Sequence, residues 1–141
     1  MTSHEPKIEL ILRFANGGRL TPDDIALIEA IRASRSIIGA GRATGISYRK
    51  CWLMADALNR TFESPVFASY PGRKEAGSEI TPFGERLVAL YRSIERRAHG
   101  ASTAALKELE GALNPAYRPR ASGAASERSE AAPRYRQSRR S

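Results

Sequence analysis

Gly45-Ile46-Ser47-Tyr48-Arg49-Lys50-Cys51-Trp52 is the stretch on which the fold turns. A glycine tolerates the left-handed backbone that closes a helix. A serine just ahead of a new helix accepts a hydrogen bond from its first turn. The stretch therefore predicts a tight turn between two helices. It places Tyr48, Arg49 and Lys50 at the N-terminal end of the second one.

Upstream, Ser36 caps a short helix over about 37–44, with Ile37, Ile38, Ala40 and Ala43 as its apolar residues. Gly39 and Gly41 inside it cost up to about 1 kcal/mol each relative to alanine. They read as sites of close helix packing, a local helix break being the alternative. Thr21-Pro22-Asp23-Asp24 starts an earlier helix over about 22–34: Thr21 caps, Pro22 suits the first turn and two carboxylates meet the positive helix end. Ile25, Leu27, Ile28 and Ile31 form its apolar face. Before it, Ile8, Leu10, Leu12 and Phe14 alternate with outward positions, a strand period that Asn16-Gly17-Gly18 breaks.

Downstream, a helix over about 48–62 is expected to turn Trp52, Ala55, Leu58 and Phe62 to one face and Arg49, Lys50, Asp56 and Arg60 to the other. Trp52 is read as a core anchor. Tyr48, at the mouth of the helix, stays open between core and ligand. Val66 to Tyr70 and Glu79 to Thr81 make a hairpin tipped by Arg73-Lys74. Thr81-Pro82 starts a further helix to about His99, with Phe83, Leu87, Leu90, Tyr91 and Ile94 along one side. Gly100 is expected to interrupt, and a last helix over 102–113 brings Leu106, Leu109 and Leu113 into phase.

Composition bounds the function. The chain has 141 residues, 41% of them hydrophobic, which suits one folded domain with extra helix or tail. Its apolar runs are too short to span a bilayer, and the polar start, Met1 to Pro6, lacks a secretion signal. A soluble cytoplasmic, nucleoid-associated protein without a membrane partner is expected. A single cysteine, Cys51, excludes an internal disulfide. It reads as a small half-buried residue rather than a redox sensor. No metal-ligand spacing, catalytic triad or phosphate-binding glycine loop is visible, so neither an enzyme nor a cofactor is expected. Of the net charge of +8, residues 114–141 carry +5, from seven arginines against two acids.

The order strand, helix, helix, turn, helix, hairpin, helix is that of a winged helix-turn-helix. The second helix of such a pair lies in the DNA major groove by its N-terminal residues. On this reading Ser36, Arg42, Ser47, Tyr48, Arg49 and Lys50 face double-stranded DNA, and Arg73 and Lys74 reach flanking phosphates. Arg49 is the candidate for a bidentate contact to guanine.

These words also resemble a family. GISYRKCW, Gly45 to Trp52, resembles the recognition-helix segment of the molybdate-responsive bacterial regulators of the ModE family, which carry GISY-[KR]-x-x-W. PGRKEAGSEITPFGERLVALY, Pro71 to Tyr91, is similar to that family's wing and linker helix, which reads TGGKGGGG, then L-T-x-[FY]-G, then L-x-x-Y. The resemblance covers about residues 8–98. Regulators of the LysR type share the architecture but match these words less well.

The resemblance implies a mainly α fold with a small β-wing: a winged helix-turn-helix followed by a long dimerisation helix. It implies a sequence-specific transcriptional regulator that binds a pseudo-palindromic operator as a homodimer, with Leu87, Leu90, Tyr91 and Ile94 as the dimer seam. The expected division is residues 1–81 for DNA, 82–113 for dimerisation and 114–141 as a disordered basic tail. Two departures stand out. Arg73, Glu75 and Ala76 replace glycines of the family's wing. No strand-rich segment follows Leu113, where the family continues into a molybdate-binding β-domain, so molybdate binding is not expected. The rival readings are a nucleoid-associated or RNA-binding protein without sequence choice, and a module that docks a protein partner.

Overall fold

The computed structural model describes residues 6–69 and 78–120. Two short strands, β1 (Leu12–Arg13) and β2 (Arg19–Leu20), precede three helices, α1 (Pro22–Ser34), α2 (Ile37–Thr44) and α3 (Tyr48–Thr61). A second hairpin, β3 (Phe67–Ser69) and β4 (Ser78–Ile80), leads to α4 (Pro82–Ala101) and α5 (Thr103–Gly111). The fold class is mainly α with two small antiparallel sheets.

The caps set these boundaries. Thr21 and Asp24 form a reciprocal box at the start of α1: the Asp24 N–H donates to Thr21 Oγ1 (3.1 Å) and the Thr21 N–H to Asp24 Oδ2 (2.9 Å). Ser36, Ser47 and Thr81 cap α2, α3 and α4 in turn, each accepting from a backbone N–H one turn in. Such bonds are made within four residues, which is why the sequence locates them.

The first strand is shorter than its alternation predicts. Ile8, Leu10, Leu12 and Phe14 are each partly buried while Lys7, Glu9, Ile11 and Arg13 are exposed, so the two-sided pattern holds along the segment. Only Leu12 and Arg13 have ladder partners, Leu20 and Arg19, in a return strand that the glycine break had concealed. Gly100 does not interrupt α4, which runs to Ala101. An exposed glycine lowers helix propensity by about 1 kcal/mol but removes no hydrogen bond. The Gly39–Gly41 stretch is continuous helix. A Cβ on Gly41 would lie 2.9 Å from the Ile46 carbonyl oxygen and 3.7 Å from Cys51 Sγ, so close approach of α2 and α3 accounts for this glycine.

One core holds the layers together. Leu20, Ile25, Leu27, Ile28 and Ile31 meet Cys51, Ala55 and Leu58 of α3, Val66 and Phe67 of the second hairpin, and Leu87, Val88 and Tyr91 of α4. The Tyr91 hydroxyl donates to the Leu10 carbonyl (2.7 Å) across 81 residues of chain. Phe62 packs between Phe14, edge to face, and Phe83, tilted, with ring centroids 5.5 and 5.4 Å away. Arg92 bridges α4 to Glu29 of α1 (3.1 Å), and Arg32 of α1 pairs with Glu85 (3.1 Å). The first half of α4 is thus built into the same core as α1 to α3, whereas α5 buries no residue.

Candidate nucleic-acid interface

Gly45 turns the chain at φ 79°, its N–H donating to the Gly41 carbonyl (2.8 Å). Two residues later Ser47 has extended backbone and accepts the Lys50 N–H (3.1 Å). Between the caps, Ile46 is half-buried and its carbonyl receives the Cys51 thiol (3.7 Å). Three residues therefore redirect the chain from α2 to α3. An open depression of about 480 Å³ marks the junction, lined by Ile38, Gly41, Arg42, Gly45, Ile46, Ser47 and Tyr48.

Helix α3 buries Cys51, Ala55 and Leu58 and holds Phe62 beyond its end, a stripe at i, i+4, i+7 and i+11. Arg49, Leu53 and Arg60 stand on the opposite side, exposed, with half-buried Asp56 among them. Arg60 is tied to Asp56 (3.1 Å). Arg49, Lys50 and Arg42 are exposed and make no salt bridge among the described residues. Elsewhere Arg32, Arg35, Arg60 and Arg92 all have carboxylate partners.

Trp52 is not the rear anchor the sequence suggested. It is 48% exposed, and Tyr48, one turn earlier, is 57% exposed. The period of a helix fixes which residues share a face but not which way that face points. A shift of one residue moves the buried stripe by about 100°, and Cys51 takes the place assigned to Trp52. Burial also pushes the Cys51 thiol above its ordinary pKa, which disfavours the reactive thiolate and with it a redox role.

The second hairpin is locked to this helix by residues the sequence reading missed. Asn59 of α3 accepts the N–H groups of Val66 (2.8 Å) and Phe67 (3.0 Å) on Oδ1 and donates from Nδ2 to the Phe67 carbonyl (3.3 Å). Arg35, in the left-handed region at φ 63°, closes α1, and its carbonyl accepts the Ser78 N–H (3.1 Å) while its guanidinium pairs with Glu79. An Asn seven residues ahead of a predicted strand, and an Arg at a predicted helix end, were the available signals. Neither names its partner.

Ser36 is half-buried, and its hydroxyl is engaged as a cap by the Gly39 N–H (2.8 Å). Arg42 and Ser47 to Lys50 lie together around the α2–α3 turn. Arg73 and Lys74 lie outside the described residues, as does the tail beyond Arg120. Along α4 the expected seam divides. Leu87 and Tyr91 are in the core of their own chain, while Leu90 and Ile94 are exposed. Val88 is buried in their stead, because the helix packs on α1 and the hairpin rather than on one flat neighbour. Among the described residues no group of histidine, cysteine and acidic side chains could hold a metal ion, and no helix is long and apolar enough to cross a membrane.

No family model matches the chain. It is 37% identical over 106 residues to the molybdenum-pterin-binding protein MopA of Rhodobacter capsulatus, covering 74% of this chain and 38% of that protein. It is 34% identical over 80 residues to the molybdenum transport protein ModE of Azotobacter vinelandii, covering 56% of this chain and 30% of that protein. It is 34% identical over 71 residues to the transcriptional regulator ModE of Yersinia pestis, covering 50% of this chain and 27% of that protein. The chain thus spans 27–38% of the length of these curated relatives. Two of the three bear the name ModE, which the motifs resemble, and none of the three is named as an enzyme. Two are named for molybdenum binding or transport.

Proposed function

We propose that this chain is the DNA-reading unit of a ModE-like transcriptional regulator, acting in the cytoplasm as a homodimer on a pseudo-palindromic site. The observation that carries the reading is the first turn of α3. Arg49 and Lys50 are exposed and have no carboxylate partner among the described residues, on a helix set across α2 by a three-residue turn and held from behind by Cys51, Ala55 and Leu58. A helix end that gathers unpaired cations beside unsatisfied N–H groups suits phosphate, and Arg49 suits the guanine edge. Exposed Tyr48, Trp52 and Leu53 add an apolar surface able to meet thymine methyl groups. The helical build supports the DNA-binding part of such a regulator over a β-rich ligand-binding part. Leu90 and Ile94 are left for a second copy, with Leu87 and Tyr91 engaged inside their own chain.

Footprinting on genomic fragments tests this. Protection of a few discrete sites with dyad symmetry, by a species that sediments as a dimer, is the expected outcome. Uniform coverage would replace the regulator with a non-specific nucleoid or RNA-binding protein. No binding to duplex even at low salt would leave only a protein-docking role.

A further inference from the structure

The first hairpin carries a charge arrangement that its own fold does not explain. In β1–β2, Leu12 faces Leu20 and Arg13 faces Arg19. Leu20 is buried, so the leucine pair points inward and the arginine pair outward, and both arginines are exposed. Directly opposed like charges in an antiparallel pair destabilise the sheet. Neither Arg13 nor Arg19 makes a salt bridge among the described residues, although arginines on α1, α3 and α4 do.

The hairpin lies along one flank of α3. Asn16 donates from Nδ2 to the Thr61 carbonyl (2.9 Å), and a groove of about 410 Å³ runs between the two elements, lined by Gly17, Gly18, Arg19 and Asp24 on one side and by Lys50, Met54 and Thr61 on the other. Lys50, like Arg19, is exposed and makes no salt bridge among the described residues. The carboxylate in this groove, Asp24, is turned to Thr21, whose N–H (2.9 Å) and hydroxyl (3.0 Å) both donate to Oδ2. Arg19 is felt there electrostatically but no contact forms. Arg19 and Lys50 therefore line opposite walls of this groove, Arg13 stands beside Arg19 on the outward face of the hairpin, and none of the three makes a salt bridge among the described residues.

A helix lying in a major groove about 12 Å wide has a phosphate strand on each side. The β3–β4 hairpin, pinned by Asn59, flanks one side of α3. We infer that Arg13 and Arg19, with Lys50, form a second phosphate clamp on the other side, so that two hairpins bracket the recognition helix. This rests on the DNA-binding reading above. The ligand chemistry is a phosphate oxyanion, and backbone phosphates are the source the geometry favours, because the cations follow the flank of α3 rather than converge in a closed pocket.

The test compares the unaltered chain with an Arg13→Ala/Arg19→Ala variant and with an Arg97→Ala/Lys107→Ala control, which removes the same charge from exposed positions on α4 and α5. Each is titrated with a random duplex across a salt series. The clamp predicts that the slope of log K against log salt falls by about 2 for the hairpin variant, roughly one per lost phosphate contact, and by much less for the control. It also predicts that the hairpin variant melts no lower than the unaltered chain, since a repulsive pair has been removed. Equal slope changes in the two variants would overturn the clamp and leave the DNA reading standing. Failure of the unaltered chain to bind any duplex would sink both. Inorganic phosphate provides the other arm. Stabilisation by phosphate beyond chloride of equal ionic strength, lost in the hairpin variant while its DNA slope is unchanged, would reassign the three cations to a free anion and overturn the backbone contact.

Discussion

Helices α3 and α4 are alike in composition and differ in what they do with it. Each carries more apolar side chains than its buried stripe takes up. Helix α3 buries Cys51, Ala55 and Leu58 and leaves Tyr48, Trp52 and Leu53 in solvent. Helix α4 buries Leu87, Val88 and Tyr91 and leaves Leu90 and Ile94. The surplus on α3 is interleaved with Arg49 and Lys50, which make no salt bridge among the described residues. On α4, Arg92 is tied to Glu29 and Glu95, while exposed Arg86 and Arg97, one turn from Leu90 and Ile94, make no salt bridge among the described residues. An apolar surface mixed with cations suits a polyanion that also offers apolar groups. The two helices differ in placement more than in hydrophobicity: the cations of α3 crowd its first turn, at the positive end of the helix, whereas those of α4 are spread along its length.

The sharpest way to break this comparison is to cut each helix on its two sides. Tyr91→Ala removes a fully buried ring and the bond to the Leu10 carbonyl, and should cost about 3–5 kcal/mol in denaturant unfolding. Leu90→Ala, one residue away, should stay within about 0.5 kcal/mol for the folded monomer. Similar losses from both would mean that α4 has no distinct outer face. On α3, Arg49→Ala should lower affinity for a specific site by about 1–3 kcal/mol and relax base preference at one position. Its unfolding free energy should stay within about 0.5 kcal/mol, because the side chain is exposed and makes no hydrogen bond or salt bridge among the described residues. An equal loss on random duplex would make Arg49 a phosphate contact and blunt the contrast with Lys50.

The smallest expected effect concerns the anchor of α1. Burial raises the Asp24 carboxyl above its ordinary 3.8, outweighing the two bonds from Thr21 and the pull of Arg19. A raised carboxylate pKa means that the folded state holds the proton more tightly than the unfolded chain. Its contribution to stability is full below 3.8 and is lost as pH rises through the raised value. Relative to Asp24→Asn, the unaltered chain should therefore gain stability on acidification. A relative loss would show that the cap bonds to the carboxylate dominate its burial.

The helix ends were legible because their causes are local. Thr21-Pro22, Ser36, Gly45, Ser47 and Thr81-Pro82 act on backbone groups within one turn, and α1 and α2 begin and end at the residues expected. The return strand at Arg19 and Leu20 was hidden because two residues carry no period. Trp52 was misplaced because hydrophobicity and size argue for burial, yet Cys51 is the residue that α2 approaches, at the glycine step of Gly41. On α4 periodicity groups Leu87, Leu90, Tyr91 and Ile94 without saying how wide a stripe one neighbour can cover, so Leu87 and Tyr91 are buried in their own chain while Leu90 and Ile94 are exposed.

By itself, then, the sequence determined the order of the helices, the turn at Gly45 and the cations at the head of α3, all of which depend on residues within a turn of each other. Tertiary structure alone decided which side of each helix faces the core, that Asn59 and Arg35 fix the second hairpin, and that Arg13 and Arg19 stand opposed beside Lys50. Those outcomes depend on pairings across 6 to 45 residues of chain, as from Arg13 to Arg19 and from Asn16 to Thr61. Such pairings are chosen by the packing of whole elements, and no local spacing records that choice.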